Sequence, residues 1–171
     1  MKVIERFDFL EQTIERIKSK GAFLVVQSED NTKTNVMTIG WAALGYIWGK
    51  PLMIIMVRKS RYTFQIIEEA FSFTVNIPLK NNELDQALTF CGTASGRNTD
   101  KFKDAKLITT PAQKINTPII KHTHMSYFEC KIVYKSAIDP ESLCPAYLEN
   151  IYPEKDFHTM YFGEILNYYQ A

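Results

Sequence analysis

What most constrains this chain is a succession of short apolar segments, each of strand length and each closed by turn residues. Segments 22–27, 35–41, 51–58, 71–77, 125–136 and 157–168 are rich in β-branched, aromatic and other apolar residues, with polar or Gly- and Pro-containing stretches between them. The longest apolar tract, 52–57, falls far short of the roughly 20 residues that a membrane helix needs. Several short strands with few helices predict a mainly β chain with peripheral helices, an antiparallel barrel rather than a doubly wound sheet. At 171 residues and 46% hydrophobic content, a single domain over 1–171 is large enough for one buried core. No internal repeat, linker or low-complexity tract interrupts it.

Phe7, Leu10, Ile14 and Ile17 recur at helical spacing, which predicts an amphipathic helix ended by Gly21. The polar turn 28–34 predicts a hairpin between 22–27 and 35–41, with Asn35, Met37 and Ile39 on one face and Val36, Thr38 and Gly40 on the other. Segment 63–71 reads as a helix with Phe64, Ile67 and Phe71 on one stripe, capped by Ser60 or Thr63. A strand over 71–77 follows, with Phe71, Phe73, Val75 and Ile77 on one face, and Pro78 ends it. Leu84, Ala87, Leu88 and Cys91 mark a short helix stopped by Gly92, and the loop 93–104 runs into a helical turn with a capping Asp. In 125–136, Phe128, Cys130, Ile132 and Tyr134 alternate with Glu129, Lys131 and Lys135, the pattern of a half-exposed antiparallel strand. Gly163 marks a close approach in the last strand.

With 20 basic and 19 acidic residues and a formal charge of +1, no overall field favours nucleic acid or an anionic membrane, so neither is an expected partner. Any anion must be held by a local site. Residues 1–6 interleave charges with apolar residues and carry no signal-peptide core, so a cytoplasmic location is expected. Cys91, Cys130 and Cys144 cannot all pair within one chain and form no Cys-x-x-Cys motif, so reduced thiols are expected, with Cys130 in the core and Cys144 in a loop. His122 and His124 share one side of an extended segment, but two ligands do not make a site, and no metal is expected.

Arg58, Ser60, Arg61, Tyr62 and Thr63 gather two guanidinium groups and three hydroxyls just before a helix. Basic residues at a helix start oppose its dipole unless an anion is present, and this donor set suits a phosphate monoester. The plainer reading is a solvated, capped turn, and the two coexist. A phosphorylated cofactor is therefore the first expectation. Neither a Gly-x-Gly-x-x-Gly motif nor a Walker-type loop is present, so a nicotinamide nucleotide would bind only transiently.

The order of segments 21–26, 35–41, 58–63, 71–78, 95–102 and 158–164 resembles the flavin reductase-like family, and within it the flavoredoxin-like branch. The resemblance implies an FMN-binding split β-barrel that pairs as a homodimer. It implies that Asn35, Met37, Thr38 and Trp41 lie beside the flavin ring, and that Ser95, Gly96, Arg97 and Lys101 close over the phosphate end with the 58–63 loop. Arg97 could equally meet the phosphate of a nicotinamide cofactor. His158 stands where the family often has an Asp-His pair. Here Phe157 separates it from Asp156, and the role carried over is orientation of the nicotinamide. The implied function is an oxidoreductase moving electrons from NADH or NADPH through FMN to an acceptor. The alternatives are an FMN electron carrier fed by a redox partner protein, or a flavin-binding module without turnover.

Overall fold

A computed structural model describes residues 10–80 and 82–171. The first described element is helix α1 (Leu10–Ser19), and Gly21 ends it at φ +85°, its amide donating to the Arg16 and Ile17 carbonyls at 3.2 and 3.1 Å. No other residue fits there, because a Cβ on Gly21 would lie 2.8 Å from the Ile39 carbonyl oxygen. Ile17 is buried, while Leu10 and Ile14 stay at the surface, so the predicted apolar stripe is only partly covered. Phe7 lies outside the described residues.

Strands β1 (Ala22–Gln27) and β2 (Thr34–Ile39) form the expected hairpin, with Ala22 opposite Ile39 and Gln27 opposite Thr34. A second hairpin, β3 (Ala42–Ile47) with β4 (Lys50–Arg58), turns through Trp48 and Gly49 at φ 55° and 70°. That left-handed pair is the two-residue turn whose twist matches its strands. Next come α2 (Tyr62–Ile67), β5 (Ser72–Pro78), α3 (Asp85–Thr93) and α4 (Lys101–Asp104). The small pair β6 (Thr109–Thr110) and β7 (Ile119–Ile120), then β8 (Met125–Ala137), α5 (Pro145–Ile151) and β9 (His158–Gln170), complete the chain.

The main sheet is antiparallel in the order β2-β1-β5-β8-β9-β4-β3. Its edge strands β2 and β3 are separated in sequence only by Gly40 and Trp41, so the sheet must roll back until its edges approach. Met37 and Ile39 from one edge and Met53, Ile55 and Val57 from beside the other share one core with Phe73, Val75, Phe128 and Tyr161 inside the roll. Outside it, Phe23, Val25 and Tyr127 pack under α3 and α4 through Leu88, Cys91 and Leu107. The result is the mainly β split barrel with peripheral helices expected above.

Four expectations need correction. The helix after Arg61 ends at Ile67, because the Glu69 and Ala70 amides turn back to the Ile66 and Ile67 carbonyls at 3.1 and 3.2 Å and feed β5. Phe71 is therefore on no buried stripe and is 65% exposed, and neither Ser60 nor Thr63 caps α2, whose cap position is Arg61. Helix α3 runs through Gly92 rather than stopping there. Gly92 faces Thr38, and a Cβ there would stand 3.4 Å from the Thr38 Cβ, at ordinary van der Waals contact. The first half of β8 is buried on both faces because α3, α4 and the 105–120 segment cover the outside of the roll. Glu129 there is fully buried and accepts the Gln113 and Lys114 amides at 2.9 and 2.6 Å.

Gly163 meets its expectation, since a Cβ would sit 2.5 Å from Phe73 Cζ and 2.7 Å from Cys130 Cβ. Asp100 caps α4 by accepting the Lys103 amide at 3.2 Å. All three cysteines are free, Cys91 and Cys130 buried and Cys144 exposed. Among the described residues no helix is long and apolar enough to cross a membrane.

Candidate functional site

A trough runs along β2 where the 58–63 loop and the 93–101 segment approach it. It consists of a cavity of about 170 Å³ at its polar end and another of about 170 Å³ beside Trp41, and the two share Met37 and Arg61. Register explains the placement: Asn35 and Met37 point inward from β2 toward α2, and the C-terminal turn of α3 lies over Thr38, whose hydroxyl donates to the Leu88 carbonyl at 2.6 Å.

The polar end collects Asn35, Ser60, Arg61, Tyr62, Thr63, Ser95, Gly96, Arg97 and Lys101, so three stretches well apart in sequence, at 35, 60–63 and 95–101, converge. Three cations meet there, and each is held by a backbone carbonyl. Lys101 Nζ donates to Cys91 at 2.9 Å, Arg61 Nη1 to Gly92 at 3.0 Å and Arg97 Nη1 to Ser60 at 3.1 Å, with Arg97 also over the Tyr62 ring. Among the described residues no carboxylate forms an ion pair with any of the three. Lys101 is only 4% exposed, and burial, then the Arg61 charge, hold its pKa below the usual lysine value.

Thr63 is buried at the floor, where its hydroxyl oxygen accepts the Asn35 amide at 2.8 Å and keeps its own proton free to donate. A side chain at Gly96 would collide with the Asn35 carboxamide and the Tyr62 ring, so only glycine lets this backbone close on the trough. One buried ammonium, two exposed guanidinium groups beside it, a free hydroxyl proton and a glycine cradle fit an anionic group such as a phosphate monoester.

The other end is lined by Met37, Thr38, Ile39, Gly40, Trp41, Met56, Arg58 and His158. Trp41 is 44% exposed, and its ring lies 5.0 Å from that of His158. Burial, then the Arg58 guanidinium, lower the His158 pKa to about 4, so the imidazole is neutral at pH 7. Its Nδ1 lies 2.8 Å from the Tyr152 hydroxyl, which donates when the ring proton is on Nε2.

The loop read as one cluster is thus divided. Arg61, Tyr62 and Thr63 face the polar end. Arg58 turns the opposite way, its Nη2 donating to the Ile151 carbonyl at 3.3 Å, with Asp156 Oδ2 at 4.0 Å and the Tyr152 ring beneath it. Asp156 also accepts the Ser60 amide and hydroxyl at 3.2 and 2.5 Å. It therefore ties the loop down and leaves His158 to Tyr152. Neither Tyr152 nor Asp156 figured among the sequence candidates, because the contacts that matter come from the irregular 152–157 segment.

A rolled antiparallel sheet with a cationic trough beside one edge strand defines a flavin-reductase type of split barrel. The family model described as "Flavin reductase like domain" matches residues 18–171, and the chain belongs to that family. A protein of Archaeoglobus fulgidus, described only as uncharacterized, is 28% identical over 145 residues, covering 85% of this chain and 69% of its own length. Among solved structures, the flavoredoxin of Desulfovibrio vulgaris (Miyazaki F) superimposes with a TM-score of 0.67 at 22% identity, covering 88% of this chain and 69% of that one. Nitrilotriacetate monooxygenase component B from Bacillus cereus gives a TM-score of 0.67 at 13% identity, covering 100% of this chain and 80% of that one. Identities this low establish the shared fold.

Proposed function

We propose that this chain is an FMN-binding oxidoreductase that takes electrons from NADH or NADPH and passes them to an acceptor. The observation that carries the reading is the polar end of the trough, where Lys101, Arg61 and Arg97 converge without a carboxylate partner. Lys101 alone of the three is buried, and a buried charge is costly unless an anion joins it, as the phosphate of FMN would; Arg61 and Arg97 stand exposed at the rim, free to close on the same anion. Lys101, Arg61 and Arg97 would bind it as charged donors, and the Thr63 and Ser95 hydroxyls would complete the cradle. Asn35, Met37, Thr38 and Trp41, with Met56 and His158, would hold the ring system at the adjoining end.

Bound flavin would supply the two-electron chemistry that links a nicotinamide donor to an acceptor. The chain's own residues position and shield. His158, neutral and fixed through Tyr152, would present Nε2–H as a donor that orients a second planar ring. Arg58, anchored by Asp156 and Ile151, would hold that wall of the trough in place.

The same reading includes a homodimer. Beside Trp41, a hollow of about 450 Å³ is lined by Ile14, Ile17, Ala42, Ala43, Ile54, Met56 and Met160. A second copy would cover it and shelter the open side of the flavin. Three free cysteines suit a reducing compartment such as the cytoplasm.

The test is anaerobic mixing of the FMN-loaded protein with NADH or NADPH. Bleaching of the flavin absorption by either nucleotide supports the reductase reading. Failure of both rejects it and favours an electron carrier reduced by a partner protein.

A further inference from the structure

We propose that Glu83, His122 and His124 form a binding site for a borderline divalent transition-metal ion of the zinc(II) kind. The site shares no residue with the flavin trough. One ligand atom from each of the three side chains lies within 4.8 Å of the others. Glu83 Oε2 is 3.2 Å from His124 Nδ1 and 3.7 Å from His122 Nε2. Neighbouring ligand atoms on a tetrahedral zinc ion, with bonds of about 2.0–2.1 Å, stand about 3.3 Å apart, so small side-chain movements complete the cage.

Two imidazoles and one carboxylate are the donor set that zinc and its neighbours take with water in the remaining positions, whereas magnesium and calcium call for oxygen ligands. The sequence placed both histidines on one side of an extended segment. Folding supplies the third ligand from the turn before α3.

The backbone that carries the histidines is fixed in advance. The buried Tyr127 hydroxyl shares its one proton between the Ile120 and His122 carbonyls, at 2.8 and 2.9 Å, and accepts the His122 amide at 3.2 Å. The His124 carbonyl accepts the Leu79 amide at 2.8 Å. The histidine side chains are 26% and 38% exposed and that of Glu83 is 40% exposed, so an ion can reach them and retain water ligands. His122 Nδ1 accepts the His124 amide at 3.3 Å. Ligation through Nε2 moves the ring proton to Nδ1 and turns the imidazole out of that long contact, into space its exposure leaves open.

The experiment is calorimetric titration of the chelator-treated full chain with zinc chloride, paired with a thermal melt with and without the ion. One zinc ion per chain is expected, with a rise in Tm. His122→Ala and His124→Ala should each weaken binding about tenfold or more and remove the Tm rise, and Glu83→Gln should weaken it about tenfold. Cys144→Ser, the control for the exposed thiol, should leave binding unchanged, and magnesium chloride should give no saturable heat. No saturable binding of zinc, binding that survives the His122→Ala/His124→Ala double substitution, binding indifferent to Glu83→Gln, binding lost in Cys144→Ser, or equal binding of magnesium would each overturn the proposal. Circular dichroism identifies a variant that has unfolded, and the shape-conserving Glu83→Gln then decides.

Discussion

Lys101 Nζ lies 2.9 Å from the Cys91 carbonyl oxygen, on a side chain left 4% exposed. One neutral carbonyl does not compensate the desolvation of an ammonium, as the lowered pKa of Lys101 reflects. The C-terminal turn of α3 holds the charge in position, and an anion in the trough would complete its partners.

Lys101→Met should therefore separate affinity from stability. Removing a charge-assisted contact worth about 1.5 to 3 kcal/mol should weaken FMN binding by about tenfold to a hundredfold. The flavin-free variant should be at least as stable as the wild type, because an unpaired buried charge has gone. Arg58→Ala should weaken FMN less than Lys101→Met, since Arg58 already engages Ile151 and Asp156. Fluorescence titration and urea unfolding measure the two quantities.

Stability should fall on acidification through His158. Its folded-state pKa of about 4 lies below the usual histidine value of about 6.5, so between those pH values the unfolded chain binds the proton more readily than the folded one. The contribution is fully present above about pH 6.5 and is lost as pH falls toward about 4, amounting to at most about 3 kcal/mol. Urea unfolding of the wild type and of His158→Gln across this range should give a shallower pH dependence in the variant.

Two glycines should respond differently to alanine. Gly163→Ala forces a methyl group against Phe73 and Cys130 in the core and should cost about 1–3 kcal/mol of stability. Gly96→Ala presses on Asn35 and Tyr62 at the trough, so its main effect should be weaker FMN binding. Chemical denaturation and flavin titration of both variants check the contrast.

The apolar hollow beside Trp41 predicts the oligomeric state. The wild type should sediment as a dimer at micromolar concentration, and Ile54→Lys, which puts a charge in that hollow, should shift it to a monomer with less bound flavin. A wild-type monomer carrying full flavin would contradict the shared-site arrangement.

Much of the fold was legible because strand period and turn chemistry are local. The 22–27 and 34–39 hairpin, the Asp100 cap and the Gly163 close approach all follow from neighbouring residues. Strand β3 was missed because its turn, Trp48-Gly49, reaches left-handed φ at a tryptophan, a residue that gives little turn signal. The burial of Glu129 was missed because period-2 alternation cannot tell that the outer face is also covered. At the site, the list of polar groups was readable, but their direction was not. Arg58 and Arg61 are three residues apart, yet Arg58 lines only the Trp41 end while Arg61 borders both ends with its guanidinium on the Gly92 carbonyl, and Asp156 and Tyr152, which hold Arg58, come from an irregular segment.

The most direct test of the account compares FMN with riboflavin, which has the same ring system and lacks the phosphate, on the wild type and on Lys101→Met. If Lys101, Arg61 and Arg97 bind the phosphate, the wild type should prefer FMN by about a hundredfold or more, and Lys101→Met should lose most of that preference while binding riboflavin as before. Equal affinity of the wild type for the two ligands, or a preference for FMN that Lys101→Met leaves intact, would contradict it.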